Sequence, residues 1–161
     1  LKRLATNNEN SDSLVFISVH SFNQIDKYLR ENKRGNLSAL MITGVWIEGL
    51  YLATQVVKEN DNPDLVEKIG EQKIMLNNLL IILNNYKSDS YIASLLEDIN
   101  RIKDIYTDIE ITYEVGEPEM REENGMLVIV QNTKSIVHIS EEQVQEIIKI
   151  TEEVRNKLIT L

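Results

Sequence analysis

Residues 37–57 read LSALMITGVWIEGLYLATQVV, and Glu48 is the only side chain among them that is charged at neutral pH. The stretch has the length of a membrane span, which takes about 20 apolar residues. A central carboxylate and the hydroxyls of Ser38 and Thr43 are costly inside a bilayer, however. A helix that is apolar on nearly all sides is expected at the centre of a bundle, where amphipathic neighbours cover it. We therefore predict a core helix that does not span a membrane.

Amphipathic helical patterns precede and follow this core helix. The first begins at about Ser13, a capping residue type, and ends in the region 31–35, where basic residues precede a glycine. Asn62-Pro63 has the pattern of a helix start, and apolar residues then recur every three or four positions over 65–83. The same spacing returns over 92–109. Short connections make the second, third and fourth helices antiparallel neighbours.

The helical pattern breaks after Ile111. Residues 114–125 read EVGEPEMREENG, an acidic, turn-rich stretch that predicts a loop. The β-branched runs 127–130 and 136–139 flank QNTKS (131–135), which predicts a hairpin with a five-residue connection. Ser140 and Gln143 then form a capping box in front of a final amphipathic helix.

Together these elements predict a mainly α fold, an antiparallel bundle of four to five helices with a small β-hairpin near residues 126–139. Residues 1–12 are polar and rich in asparagine, and we expect a flexible N-terminal segment there. Residues 13–161 are expected to form a single helical-bundle domain with the hairpin inserted at 113–139. The chain length of 161 residues suits one such domain.

The composition excludes several classes of function. The formal net charge is −9, with 26 acidic and 17 basic side chains, so nucleic acid and anionic membrane surfaces are poor partners. The chain has no cysteine, which excludes disulfides, thiolate metal sites and a cysteine nucleophile. It begins at Leu1 without a signal-peptide pattern, from which we expect a truncated or processed chain.

Motifs for metal binding and catalysis are missing from the sequence. A carboxylate-bridged di-iron bundle needs Glu-x-x-His, but Ile17 and Ser135 stand three residues before the two histidines, His20 and His138. There is no Gly-x-Ser-x-Gly, and no glycine-rich nucleotide motif. We expect a protein that is not an enzyme and has no cofactor.

The polar residues around Glu48 form the one constellation with chemical interest. Glu48, Tyr51 and Gln55 share a helical face with Gly44, while Trp46 lies well round the helix. In one interpretation a small molecule binds in a pocket lined by Trp46, Glu48, Tyr51, Gln55 and Gln72. In the other, which we favour, Glu48 lies at a solvent-facing edge or bonds Tyr51 or a neighbouring helix. A third interpretation makes Glu48 an acid or base with a raised pKa.

The acidic stretch is a second candidate site. It could dock a basic partner or a cation, although charged residues are typical of any solvated loop. Its carboxylates are Glu114, Glu117, Glu119, Glu122 and Glu123.

Three segments resemble a family of predicted lipoproteins of unknown function from anaerobic Gram-negative bacteria. They are YLRENKRGNLSALMIT (28–43), GVWIEGLYLATQ (44–55) and NPDLVEKIGEQKIMLNNLL (62–80), and the likeness extends over about residues 13–112. The resemblance implies a helical fold, a location in the cell envelope on the periplasmic side and a lipid anchor on a cysteine of a longer N-terminal portion. It implies no activity.

The sequence thus favours a non-enzymatic interaction or scaffold domain of a cell-envelope lipoprotein. Such a domain would act through its helical surface or acidic stretch, on a protein partner or by self-association. The alternative is a small-molecule-sensing helical bundle with a pocket near Glu48.

Overall fold

A computed structural model describes residues 11–123 and 126–160 of the chain. The predicted flexible segment 1–12 lies outside the described residues apart from Ser11 and Asp12, which are helical. Within the described part, the predicted mainly α fold with a small hairpin is confirmed. The elements in chain order are α1 (Ser11–Glu31), α2 (Gly35–Glu59), α3 (Pro63–Asn84), α4 (Ser90–Tyr106), β1 (Glu110–Glu123), β2 (Met126–His138) and α5 (Glu141–Ile159).

Local side-chain hydrogen bonds fix where the helices begin. The side chain of Asn62 accepts a hydrogen bond from the N–H of Leu65 at 3.0 Å, and proline follows the cap, as the sequence predicts. The capping box of Ser140 and Gln143 is confirmed. Ser13 is not at a cap, because α1 already includes Ser11. These caps supply side-chain acceptors for backbone N–H groups in the first turn of α3 and α5.

Helices α2, α3, α4 and α5 form a four-helix bundle. α2 packs against α3 and α5, and α4 packs against the same two helices, so each neighbours two others around one core. α1 packs mainly against α2. The fully buried core side chains include Ile47, Ile69, Leu76, Leu83, Ile92, Ile99, Ile102, Tyr106, Ile109, Ile147 and Val154.

The predicted central helix is α2, but part of its surface is left uncovered. Ala39, Ile47 and Leu50 are buried in the core, whereas Val45 and Leu52 on the other side are 47% and 57% exposed. The expectation that neighbours surround α2 is therefore wrong for its outer side. Among the described residues α2 is also the one helix long and apolar enough to cross a membrane, a test that a core helix passes equally.

The hairpin pairs different segments from those predicted. β1 runs antiparallel to β2, from the pair Glu110 and His138 to the pair Glu123 and Met126, with a register shift between Val115 and Pro118. The acidic stretch is thus a strand and not a loop, and 131–135 lies inside β2 and not in a turn. QNTKS contains neither glycine nor proline, so nothing in it interrupts an extended strand.

The hairpin is anchored to the bundle at its base. Val137 of β2 lies directly over Gly70 of α3, where an added Cβ would come within 2.3 Å of its Cγ1. Lys73 of α3 donates hydrogen bonds to the carbonyls of Thr107 and Ile109 at 2.9 and 2.6 Å, which fixes the entry to β1.

Candidate functional site

An ion pair between Glu48 of α2 and Arg155 of α5 joins the two helices. The Nε of Arg155 donates to Glu48 Oε2 at 2.8 Å, and its Nη2 donates to Oε1 at 3.1 Å, which makes the pair bidentate. The guanidinium also lies 4.2 Å from the centre of the Tyr51 ring, a cation–π contact. Glu48 therefore bonds a neighbouring helix, in agreement with the favoured interpretation.

The electrostatics of Glu48 follow from this pair. The hydrogen bonds from Arg155 lower the pKa of the Glu48 carboxyl below its ordinary value and outweigh partial desolvation, which acts in the opposite direction. The Glu48 side chain is also 44% exposed. A raised pKa, which a role as an acid near neutral pH would require, is therefore contradicted.

Gln55 lies on the same face of α2, about two turns beyond Glu48. Its Nε2 is buried without a hydrogen-bond partner among the described residues, and so is Oγ1 of Thr151 on the facing helix α5. A buried amide without a partner costs free energy. The polar character of this face thus continues inward from the ion pair, and Gln55 lines neither the cleft at the base of β2 nor the groove beside Trp46.

Trp46 lies on a different side of α2, where it contacts Gln72 of α3. The indole N–H of Trp46 donates to Gln72 Oε1 at 3.1 Å across the contact between α2 and α3. A shallow groove of about 260 Å³ borders this pair, and its lining is mostly apolar. The five predicted ligand-binding residues therefore divide into two groups, Trp46 and Gln72 toward α3, and Glu48, Tyr51 and Gln55 toward α5. They do not converge on one pocket.

A further open cleft lies away from Glu48, at residues that no sequence motif marks. It has a volume of about 810 Å³ and is open, with walls from the end of α2, the start of α3, the base of β2 and the start of α5. Its rim carries the carboxylates of Glu59, Asp61, Glu67 and Glu141. These residues come from distant parts of the chain, and no motif links them. Within the described residues, no three His, Asp or Glu side chains are placed to hold a metal ion.

The β-hairpin is the most exposed element with apolar side chains. Met120 of β1 pairs across the hairpin with Ile129 of β2, and Leu127 lies two residues further along the same face. All three are about three-quarters exposed, at 74%, 73% and 76%. We call these three residues the ribbon patch. Natural surfaces seldom expose adjacent large apolar side chains without a use for them.

The two edges of the hairpin differ in chemistry. Along β1 the edge is interrupted by Pro118 and the register shift, and it carries Glu117, Glu119 and Glu122. These are the features by which proteins prevent the addition of a further strand. β2 contains no proline and no shift, and Lys134 is its only side chain with a full charge. The edge of β2 is therefore the one that can accept another strand.

The chain matches no protein-family model, no curated protein and no solved structure.

Proposed function

We propose that this chain is a non-enzymatic interaction domain that binds a protein partner through its β-hairpin. The observation that carries the proposal is the ribbon patch beside the uninterrupted edge of β2. Met120, Leu127 and Ile129 present apolar area to water. Full burial of each side chain would contribute about 1.5–3 kcal/mol of favourable free energy. A partner that covers them recovers that free energy.

Strand addition is the binding mode that fits this geometry. An extended partner segment along β2 would satisfy the outward backbone N–H and C=O groups, while its side chains would pack on the ribbon patch. β2 has 13 residues, which is longer than the strands of most sheets, and two strands alone are marginally stable. A third strand would stabilise the hairpin as well as supply the interface.

The charge of β1 defines the chemistry of the partner. Glu114, Glu117, Glu119 and Glu122 lie along the strand next to β2 and exceed the single Arg121. A partner strand with lysine or arginine residues flanking an apolar segment complements this field, which speeds the encounter and favours one orientation. Of the two interpretations of the acidic stretch, a docking site for a basic partner or a cation and an ordinary solvated segment, this proposal takes the basic partner, with the stretch as a strand.

The location of the domain is a separate part of the proposal. The resemblance of residues 13–112 implies a cell-envelope lipoprotein. The chain has no cysteine, so the redox state of the compartment places no constraint on it. We propose the envelope on that resemblance alone.

The small-molecule-sensing alternative has weaker support. Its central carboxylate, Glu48, is already paired with Arg155, and its five residues lie on two sides of α2. A ligand would have to displace a bidentate ion pair, which is a cost that the open groove beside Trp46 does not offset.

Site-specific photo-crosslinking in extracts of the source cells tests the proposal. A benzophenone amino acid at Ile129 is expected to give one discrete crosslinked species, and the same group at Ile81, an apolar residue that is 66% exposed on α3, is expected to give none. The double variant Leu127→Lys with Met120→Lys should remove the product at Ile129 without changing the Tm. Equal products at both positions, or none at Ile129, would refute binding through the ribbon patch.

A further inference from the structure

The first helix has an apolar face that the rest of the described chain does not cover. Within residues 12–31 of α1 no side chain is buried. Val15, Val19 and Phe22 follow a spacing of four and three residues on one line of the helix, and they are 62%, 54% and 40% exposed. Phe16 and Ile25 flank that line and are also exposed. We call Val15, Val19 and Phe22, with these two neighbours, the α1 seam.

The outer side of α2 carries a matching line. Val45, Leu52 and Val56 are all exposed, and Gly49 completes their repeat of four, three and four residues. A Cβ added at Gly49 would meet nothing within 4 Å, so another helix has room to approach closely there. We call Val45, Gly49, Leu52 and Val56 the α2 seam.

The two seams meet near the turn between the helices and are open beyond it. Ser38 of α2 donates a hydrogen bond to Asp26 of α1, and Ser38 is fully buried. Asp26 continues the line of Val15, Val19 and Phe22, because it lies four residues after Phe22. Ser38 continues the line of Val45, because it lies seven residues before it. Away from this contact the α1 seam does not cover the α2 seam of its own chain.

We infer that these seams are the interface of a homodimer, in which the α1 seam of each copy packs on the α2 seam of the other. The contact is isologous, because the α1 seam of the first copy packs on the α2 seam of the second and the reverse contact is identical. A single two-fold axis therefore relates the two contacts. The spacing of each seam is that of helices packed side by side with a small crossing angle. This surface is distinct from the ribbon patch, so the inference goes beyond the proposed function.

The exposed area is what a stable dimer needs. Fully exposed aromatic side chains offer roughly 150–250 Å² and the smaller aliphatic ones about 150 Å², so the two phenylalanines and six aliphatic residues of the seams expose about 700 Å² per copy. That lies within the roughly 600–1,000 Å² that each partner contributes to a standard stable interface. Neither seam contains a charged side chain, and with a net charge of −9 the chain is repelled by an anionic membrane surface.

Disulfide trapping tests this arrangement, because the chain has no cysteine of its own. Val19→Cys and Leu52→Cys are made as separate single variants of the full chain, mixed in equal amounts and oxidised. Only a contact between two copies can join them, and we expect a disulfide between residues 19 and 52, identified by peptide mapping, in excess of the 19–19 and 52–52 products that each variant gives alone. Ile81→Cys mixed with either variant is the matched control, because Ile81 is exposed on the outward side of α3 and should give no such product.

Sedimentation equilibrium supplies the second measurement. The unsubstituted chain should be a dimer, and Val19→Glu or Leu52→Glu should weaken the dimer about 100-fold, because a carboxylate would be buried in each apolar seam. Ile81→Glu should leave it unchanged. A monomeric unsubstituted chain, or a dimer that Ile81→Glu weakens as much as Leu52→Glu, would overturn the inference. So would a monomer that binds neutral phosphatidylcholine vesicles through the same seams.

Discussion

At the residue scale, two helical glycines show where the surface is packed and where it is open. Gly70 of α3 lies against Val137 of β2, and an added Cβ would be 2.3 Å from Val137 Cγ1, whereas nothing lies within 4 Å of the same atom at Gly44 of α2. Alanine is favoured over glycine in a helix by about 0.5–1 kcal/mol. The two positions should therefore respond to the same substitution with opposite signs.

We predict that Gly70→Ala destabilises the protein by about 1–3 kcal/mol through overpacking against the hairpin base. Gly44→Ala should stabilise it by about 0.5–1 kcal/mol. Urea unfolding measures both free energies. In a Val137→Ala background, which creates space, the effect of Gly70→Ala should become neutral or favourable. If Gly70→Ala stayed equally destabilising there, the close contact between α3 and β2 would not be its cause.

The ion pair of Glu48 gives a prediction on pH. Arg155 holds the pKa of the Glu48 carboxyl below its ordinary value of 4.5, so the folded state binds the proton less readily than the unfolded chain. The stabilisation is therefore fully present above about pH 5 and is lost as the pH falls through the lowered pKa. At pH 7, Glu48→Gln should decrease the Tm slightly, by about 1–3 °C, since exposed pairs contribute little.

Thermal unfolding of both chains followed by circular dichroism at pH 7 and at pH 3 checks this prediction. The difference in Tm should shrink on acidification. A difference that grew as the pH fell would mean that the carboxyl is stabilised in its protonated form, as the raised-pKa interpretation requires. The sequence indicated that Glu48 needs a partner, but Arg155 is 107 residues away, and no local pattern connects the two.

At the scale of elements, helix starts were predictable and strand pairing was not. A cap is a contact between a side chain and a backbone N–H three residues later, so the signal at Asn62 or Ser140 lies entirely within a short window. Strand pairing depends on distant segments. β1 contains Pro118 and six glutamates, a composition that disfavours strands, and it becomes one because β2 pairs with it.

The signal that could have found the correct hairpin is Asn124-Gly125. This dipeptide separates the two strands in sequence and is the strongest short indication of a two-residue connection. The β-branched residues on both sides of QNTKS predicted instead that 127–130 pairs with 136–139, and this prediction left the signal of Asn124-Gly125 unused.

The cap of α3 gives a prediction at this scale. Asn62→Ala should destabilise the protein by about 1 kcal/mol, because the N–H of Leu65 loses its side-chain acceptor and keeps only the backbone carbonyl of residue 62. Asn62→Asp should retain most of that stability and serves as the control. Urea unfolding again provides the free energies, and an unchanged midpoint in the alanine variant would show that the cap does not contribute.

At the scale of the whole molecule, the described chain has a mainly apolar core and an apolar exterior in two places. The core of α2, α3, α4 and α5 follows from the three- and four-residue spacings in the sequence. The two exposed surfaces, the ribbon patch and the paired seams of α1 and α2, could not be predicted from those spacings. An apolar stripe looks the same in sequence whether its own chain or another covers it.

The net charge gives a prediction for the dimer. Two copies at −9 each repel one another, and the seams contain no charge that could compensate. Raising the salt concentration from about 20 to 300 mM shortens the Debye length and should tighten association. Sedimentation equilibrium at the two concentrations measures the change. Weaker association in high salt would mean that ion pairs hold the copies together.

Native mass spectrometry of the chain purified from its source cells distinguishes an interaction domain from a ligand-binding bundle. We propose that this protein acts through its surfaces and not through a small-molecule site. We predict species at one and two times the chain mass of 18.6 kDa, with or without a bound protein, and no small adduct. A small adduct that persists under native conditions and disappears on denaturation would contradict the claim and favour a ligand-sensing bundle.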